Sequence, residues 1–386
     1  MTFQKLSVLA VAVAAAGGLS GCFSSSSSSG SPSGSGTSAD TAVVATVDSS
    51  FESGEVELID LTQDELTASG GYHSTISDIS VRGDSQNYYL TERFQSDKIG
   101  KVDLENPSLF VWEYATIDEN DSGSANPRDL VLTDSSKAYL PRYASERAWI
   151  VDVEAQSEDA FKQGELDLSP YTPANGSVPG VQAGTVVNDQ LFLVMQRLAS
   201  DFSPSNEAYI SVWDTATDQE IETSASSSQL KGIQLSARNP QGIADHPETG
   251  LVIHGVGARD DQNLGGIDQV DPDTYATTSW VNDRDVDSLA IIDGETLYFT
   301  EYNAFKDVSL FRFDPSTPTE EPVLINSFDG VDIRALAAGP SGNLWIADGA
   351  VDNPGIRILD PESGQEVDFV PTDLLPKQIE FANLSE

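Results

Sequence analysis

Ala148-Trp149-Ile150-Val151-Asp152 is a short alternating strand that closes on an aspartate, and the chain repeats this form seven times. The copies end at Asp60, Asp103, Asp152, Asp214, Asp271, Asp314 and Asp360, spaced by 43, 49, 62, 57, 43 and 46 residues. A period near 40–50 residues is that of one four-stranded propeller blade. The aspartate suits a tight turn, because its carboxylate accepts the backbone N–H two residues on. Upstream of most copies lies a strand, a Gly/Asp/Asn hairpin and another strand: residues 129–140, 185–194, 242–254, 288–300 and 334–347. These read as the first and second strands of each blade.

The first copy has no inner strand before it. Pro376-Lys377-Gln378-Ile379-Glu380-Phe381 has the form of the other blade openings, such as Pro127-Arg128-Asp129-Leu130-Val131. The expected fold is therefore all-β: a seven-bladed β-propeller, its C-terminal strand paired with the first blade at residues 41–47. Such closure removes exposed sheet edges. No segment beyond residue 40 carries a long helical period.

Residues 126–156 (NPRDLVLTDSSKAYLPRYASERAWIVDVEAQ) resemble a repeat of the YncE-like bacterial propellers. Residues 339–364 (GPSGNLWIADGAVDNPGIRILDPESG) are similar to repeats in streptogramin-lyase and NHL-type propellers. Members of these families include binding proteins, lactonases and lyases, so the resemblance implies a fold and leaves function to the site.

Residues 1–21 read as a signal peptide, with Lys5 in the charged region and an apolar run over 6–16. That run is too short to span a bilayer. Leu19-Ser20-Gly21-Cys22 resembles the lipobox of bacterial lipoproteins, and Cys22 is the only cysteine in the chain. The resemblance implies lipidation at Cys22, and two or more acyl chains anchor stably where one does not. Phe23, where an Asp would favour inner-membrane retention, directs the expectation to the outer membrane, facing periplasm or cell surface. Residues 22–39 form the lipidated cysteine and a Ser/Gly-rich tether, with a random-coil reach of about 20–25 Å. Residues 40–386 form the propeller.

The chain has 386 residues with 62 acidic and 20 basic, for a net charge of −42. That charge repels nucleic acid, which is excluded as a partner. A single cysteine allows no internal disulfide, and three histidines make a multi-His metal centre improbable.

In a propeller, the loops entering each inner strand and those between second and third strands open on one face, the channel mouth, where small ligands bind. Seven of the 12 arginines fall in those loops. Guanidinium groups beside tyrosine receive carboxylates, catecholates or phosphates. The candidate ligand-binding residues are Arg93, Arg128, Arg142, Tyr143, Arg197, His254, Tyr302 and Arg334. The competing reading is that these arginines staple blades by pairing with Asp129, Glu92 and Asp287.

Asp283, Asp285 and Asp287 place three carboxylates on alternate residues and are the candidate metal ligands, for Ca²⁺. Residues 118–123 match half of a calcium loop but lack its closing Glu, and fit an acidic loop as well.

Three functions follow. One is a binding lipoprotein that takes an anionic small molecule, such as a ferric siderophore, at the mouth and serves an outer-membrane protein partner. The second is a lyase or lactonase using a divalent cation. The third is a protein–protein assembly scaffold.

Overall fold

The computed structural model describes residues 40–382 except 120, 122, 134, 224–229, 259–263, 326, 327 and 329. The signal peptide, Cys22 and the tether lie outside the described residues.

Seven antiparallel sheets surround a central channel. Blade 1 runs from the innermost strand Leu375–Ala382 through Thr41–Val47 and Gly54–Asp60 to Ala68–Ser69. Blades 2 to 7 follow in chain order, with inner strands Ile79–Gly83, Val131–Leu132, Val181–Val187, Pro240–His246, Val286–Asp293 and Ile333–Ala338.

The ring closes as the sequence implies. Thr41 pairs with Ala382, Val44 with Ile379, and Val47 with Leu375. All seven residues of Thr41–Val47 are buried, because that strand is covered by a blade on each side. Seven hydrophobic clusters fill the seven seams between blades. Tyr139 and Ile150 of blade 3 meet Leu193 and Trp213 of blade 4, for example, and Trp345 of blade 7 meets Val44 and Ile379 of blade 1. Outer strands range from two residues, as at Gln219–Glu220, to six, as at Phe110–Ala115 and Glu366–Pro371.

Each of the seven aspartates closes the third strand of its blade. The carboxylates of Asp60, Asp103, Asp152, Asp271 and Asp314 accept the N–H two residues on, at 2.8–3.0 Å. Asp214 and Asp360 accept the N–H three residues on, at 2.8 and 2.7 Å. Turn hydroxyls and N–H groups hold Asp60, Asp214, Asp271, Asp314 and Asp360 below the ordinary carboxylate range. The two longest spacings have a local cause. A one-turn helix at Glu158–Phe161 and a 3-10 turn at Ser169–Tyr171 lengthen blade 3, and blade 4 shares its outer position between Gln219–Glu220 and Ile233–Gln234.

Where the chain turns into the closing strand, Glu57 of blade 1 accepts the N–H groups of Asp373 and Leu374 at 3.1 and 3.2 Å. Burial pushes its carboxyl up to about 7, and nearby Glu55 and Asp373 add to the rise against those hydrogen bonds. A folded-state pKa above the unfolded value means that the native state holds the proton more tightly. Its stabilising effect is complete below about pH 4.5 and is lost as pH rises to 7. Glu57→Gln should therefore match the parent near pH 4.5. At pH 8 it should be more stable by about 1–2 kcal/mol, allowing for solvent screening. Urea unfolding of both chains across pH 4.5–8 checks this, and a difference that is flat with pH contradicts it.

Candidate functional site

The meander of each blade sets which loops share a face. An inner strand starts at the mouth and turns at the underside, and the second strand returns to the mouth. The loops after second strands and the entries to inner strands therefore meet at the mouth, while the aspartate turns line the underside.

At the mouth the inner strands share a device. In five blades the inner strand carries one more residue than its neighbour at the same level. The surplus residues are Lys377, Gln182, Gln241, Asp287 and Arg334. Blade 3 does the same: Pro127 bridges Arg142 and Val131 pairs with Tyr139, so four steps run against three across Arg128. A β-bulge breaks the alternation that aims side chains at neighbouring blades, and re-aims one residue. All six bulged residues are polar and at least 93% buried. Blade 2 has no bulge and places Ser80 at this level, its hydroxyl donating to the Arg128 carbonyl at 3.1 Å. The rim thus has a basic arc, Arg334–Lys377–Ser80–Arg128 on blades 7, 1, 2 and 3. An uncharged and acidic arc, Gln182–Gln241–Asp287, follows on blades 4 to 6.

Most of the predicted arginines prove to be engaged. Arg93 pairs with Asp78 at 3.2 Å, and Arg334 pairs with Asp332 at 3.0 Å. Arg334 also lies over the Phe51 ring, and the bare face of Gly349 makes room for it; a Cβ there would fall 1.9 Å from Nε. Arg142 is buried, ion-paired with Asp121, donating to the Thr116 carbonyl at 3.0 Å and lying over Trp149. Arg197 donates to the carbonyls of Tyr171 and Glu207, both at 2.8 Å, and covers the Tyr209 ring. These contacts hold loops and seams. The count of seven arginines therefore overstates the positive field at the mouth. The stapling carboxylates differ from those expected, since Asp129 pairs with Arg82 and Glu92 with Lys98.

Arg128 is the exception. It is buried, its guanidinium lies 5.4 Å from the Tyr143 ring centre, and no carboxylate among the described residues is within ion-pairing distance. Its Nε has no hydrogen-bond partner among the described residues. Neither amide atom of the neighbouring rim residue Gln182 has one either, in a side chain that is 2% exposed. Tyr143 packs on Gly180, whose φ of +66° excludes a side chain at low cost, and donates to Gln196 Oε1 at 2.9 Å. Gln196 in turn donates to the Pro240 carbonyl at 3.0 Å, so Tyr143 is fixed by blades 4 and 5.

His254 is fully buried, and burial pushes its imidazole down to about 4, against a hydrogen bond with the Asp287 backbone. It is neutral at pH 7 and brings no positive charge to a ligand. Tyr302 is half-buried at the blade 6 loop, its amide bonded to the Asp285 carbonyl at 3.0 Å. Asp283 is exposed with φ of +61°, whereas Asp285 and Asp287 are buried. Among the described residues no three His, Cys, Asp or Glu side chains converge to hold a metal ion, these three included. In the acidic loop, Asp118 is bound by Lys162 at 2.8 Å and Asp121 by Arg142.

Two features escaped sequence reading. Gln182 follows an apolar residue at a strand start, as Arg128, Lys377 and Gln241 follow proline, and that shared pattern was the available signal. Below the rim, Arg82 sits in the channel wall, paired with Asp129 at 2.6 Å and Glu380 at 3.4 Å. Burial opposes its charge, but those carboxylates, with Asp245 from blade 5, outweigh it and raise its pKa. A cavity of about 710 Å³ lies away from the mouth. It opens on the underside between blades 7 and 1, beside Asp40, Leu61 and Trp345.

Solved structures with this architecture include three of varied biology. A 6-phosphogluconolactonase-type protein from Bacteroides uniformis aligns with 12% identity and a TM-score of 0.58, over 89% of this chain and all of that one. Virginiamycin B lyase from Staphylococcus aureus aligns with 15% identity and a TM-score of 0.52, over 80% and 92%. AztD from Citrobacter koseri, in its apo form, aligns with 13% identity and a TM-score of 0.54, over 89% and 98%. The chain is thus a seven-bladed β-propeller with a streptogramin-lyase-like fold. At such identities the likeness carries the fold alone. No family model matches the sequence, and no curated protein does.

Proposed function

We propose that this protein is a non-catalytic lipoprotein of the bacterial envelope, anchored through Cys22 in the outer membrane, whose propeller binds an anionic small molecule at the channel mouth. The observation that supports it is Arg128: a buried guanidinium stacked on Tyr143, beside Gln182, in a chain whose other mouth arginines are committed to carboxylates and carbonyls. A planar cation with free donors over an aromatic ring suits a carboxylate, a catecholate or a ferric chelate built from them.

Cys22→Ser should release the chain from the membrane fraction, and retention there counts against the anchor. The released chain is then screened by thermal shift against carboxylates, phosphate, catecholate chelates and Ca²⁺. A ligand that binds only the folded state raises the midpoint, by a few °C at about 100 times its Kd. Arg128→Met keeps the stem and removes the donors, and should erase the response to the anion. A midpoint that no anion moves, or a response that survives Arg128→Met, sinks the reading. A response to Ca²⁺ alone favours the divalent-cation enzyme instead.

A further inference from the structure

We infer that the anchored propeller stands with its underside toward its own membrane and its mouth turned away, so that whatever the mouth binds arrives from the aqueous side. This rests on the lipid-anchor reading above. The decisive point is where the tether joins the domain. The first described residue is Asp40, whose N–H donates to the Ala382 carbonyl at 3.0 Å. The strand Thr41–Val47 then runs inward from that end, and Val47, at its far end, pairs with Leu375 at the start of the closing strand. Leu375 and the bulged Lys377 lie at the mouth, so Asp40 lies on the opposite face. The seven aspartate turns share that face.

Reach decides how far the tether can undo this. Strands of six to eight residues, such as Lys98–Asp103, Val286–Asp293 and Leu375–Ala382, make the domain roughly 20–25 Å deep. Asp40 immediately precedes the second of four strands, about 10 Å inside the outer edge at about 4.8 Å per strand. To set the mouth against the lipid, the tether would have to follow a path of about 40 Å with its loops, roughly twice its random-coil reach.

The underside turns carry Asp60, Glu105, Glu154, Asp218, Glu248 and Glu362 among other carboxylates, so anionic head groups repel that face and the attached domain stands off the lipid instead of lying on it. Among the described residues the exposed aromatic side chains lie on the other face: Phe94, Phe202 and Phe305 stand 52%, 75% and 61% exposed on mouth-side loops of blades 2, 4 and 6. Such residues are wasted against solvent and suited to contact with an incoming partner.

The test uses the lipidated full-length protein in vesicles of phosphatidylethanolamine and phosphatidylglycerol that contain an energy-acceptor lipid. A donor dye is placed by Glu362→Cys on the underside or by Ala304→Cys on the mouth rim; both positions are exposed. Transfer to the lipid should be at least about twofold greater from position 362, given the depth of the domain. Equal transfer, or greater transfer from position 304, overturns the orientation, the latter meaning that the rim aromatics dip into the anchoring bilayer. Protein that fails to float with the vesicles overturns the anchor itself, a result distinct from either transfer outcome.

Discussion

Removal of residues 375–386 should abolish cooperative unfolding of the domain. The deletion takes the innermost strand of blade 1, and with it the pairing of Leu375, Ile379 and Phe381 against Val47, Val44 and Ala42. Ile379 is 1% exposed and belongs to the seam between blades 7 and 1. Burial of each large apolar side chain is worth about 1.5–3 kcal/mol, so two to three of them approach the whole stability of an ordinary domain. The loss would also leave Thr41–Val47, buried along its full length, as a bare edge. A truncated chain should show no sharp thermal transition by circular dichroism and should bind a dye specific for exposed apolar surface. A synthetic peptide of residues 375–386 added in excess should restore part of the transition. A truncated chain that melts cooperatively near the parent temperature would show that the ring does not depend on its closure.

Arg82→Met should cost about 3–5 kcal/mol, the range for removing one partner of a buried pair. The guanidinium is buried between Asp129 and Glu380, and without it two buried carboxylates, with Asp245 from blade 5, are left facing one another. Coulomb repulsion in the channel then adds to their desolvation. The loss should shrink as pH falls toward 4, because the orphaned carboxylates can take up protons. Adding Asp129→Asn should recover part of it, as expected of directly coupled residues. Urea unfolding of the two single variants and the double variant at pH 7.5 and pH 4.5 checks both statements. A change below about 1 kcal/mol, typical of surface charge pairs, would show that solvent reaches this part of the channel.

Much of the site was legible for one reason and incomplete for another. Arg128, Arg334 and Asp287 were found because strand starts can be counted from the aspartate turns. What each cation touches could not be counted. Asp121 meets Arg142 from 21 positions away and Glu207 meets Arg238 from 31, through folds of loops that no period describes. His254 entered the candidate set by its place at the end of a second strand, and it is neutral at pH 7 because burial pushes its imidazole down. Gln182 was passed over because an amide draws attention only once both of its atoms are seen to lack partners.

The chain by itself determined the number of blades, the aspartate turns and the meeting of its two ends. Those features are written in local periods: alternation within strands, a turn residue at each third strand, and a count of seven. Tertiary structure alone decided which mouth arginine lacks a carboxylate partner, that Arg82 ties Asp129 of blade 3 to Glu380 of blade 1, and that Asp40 lies on the face opposite the mouth. Such properties arise between residues that are far apart in sequence, where packing distance and local dielectric set the energy and sequence spacing carries no information about either.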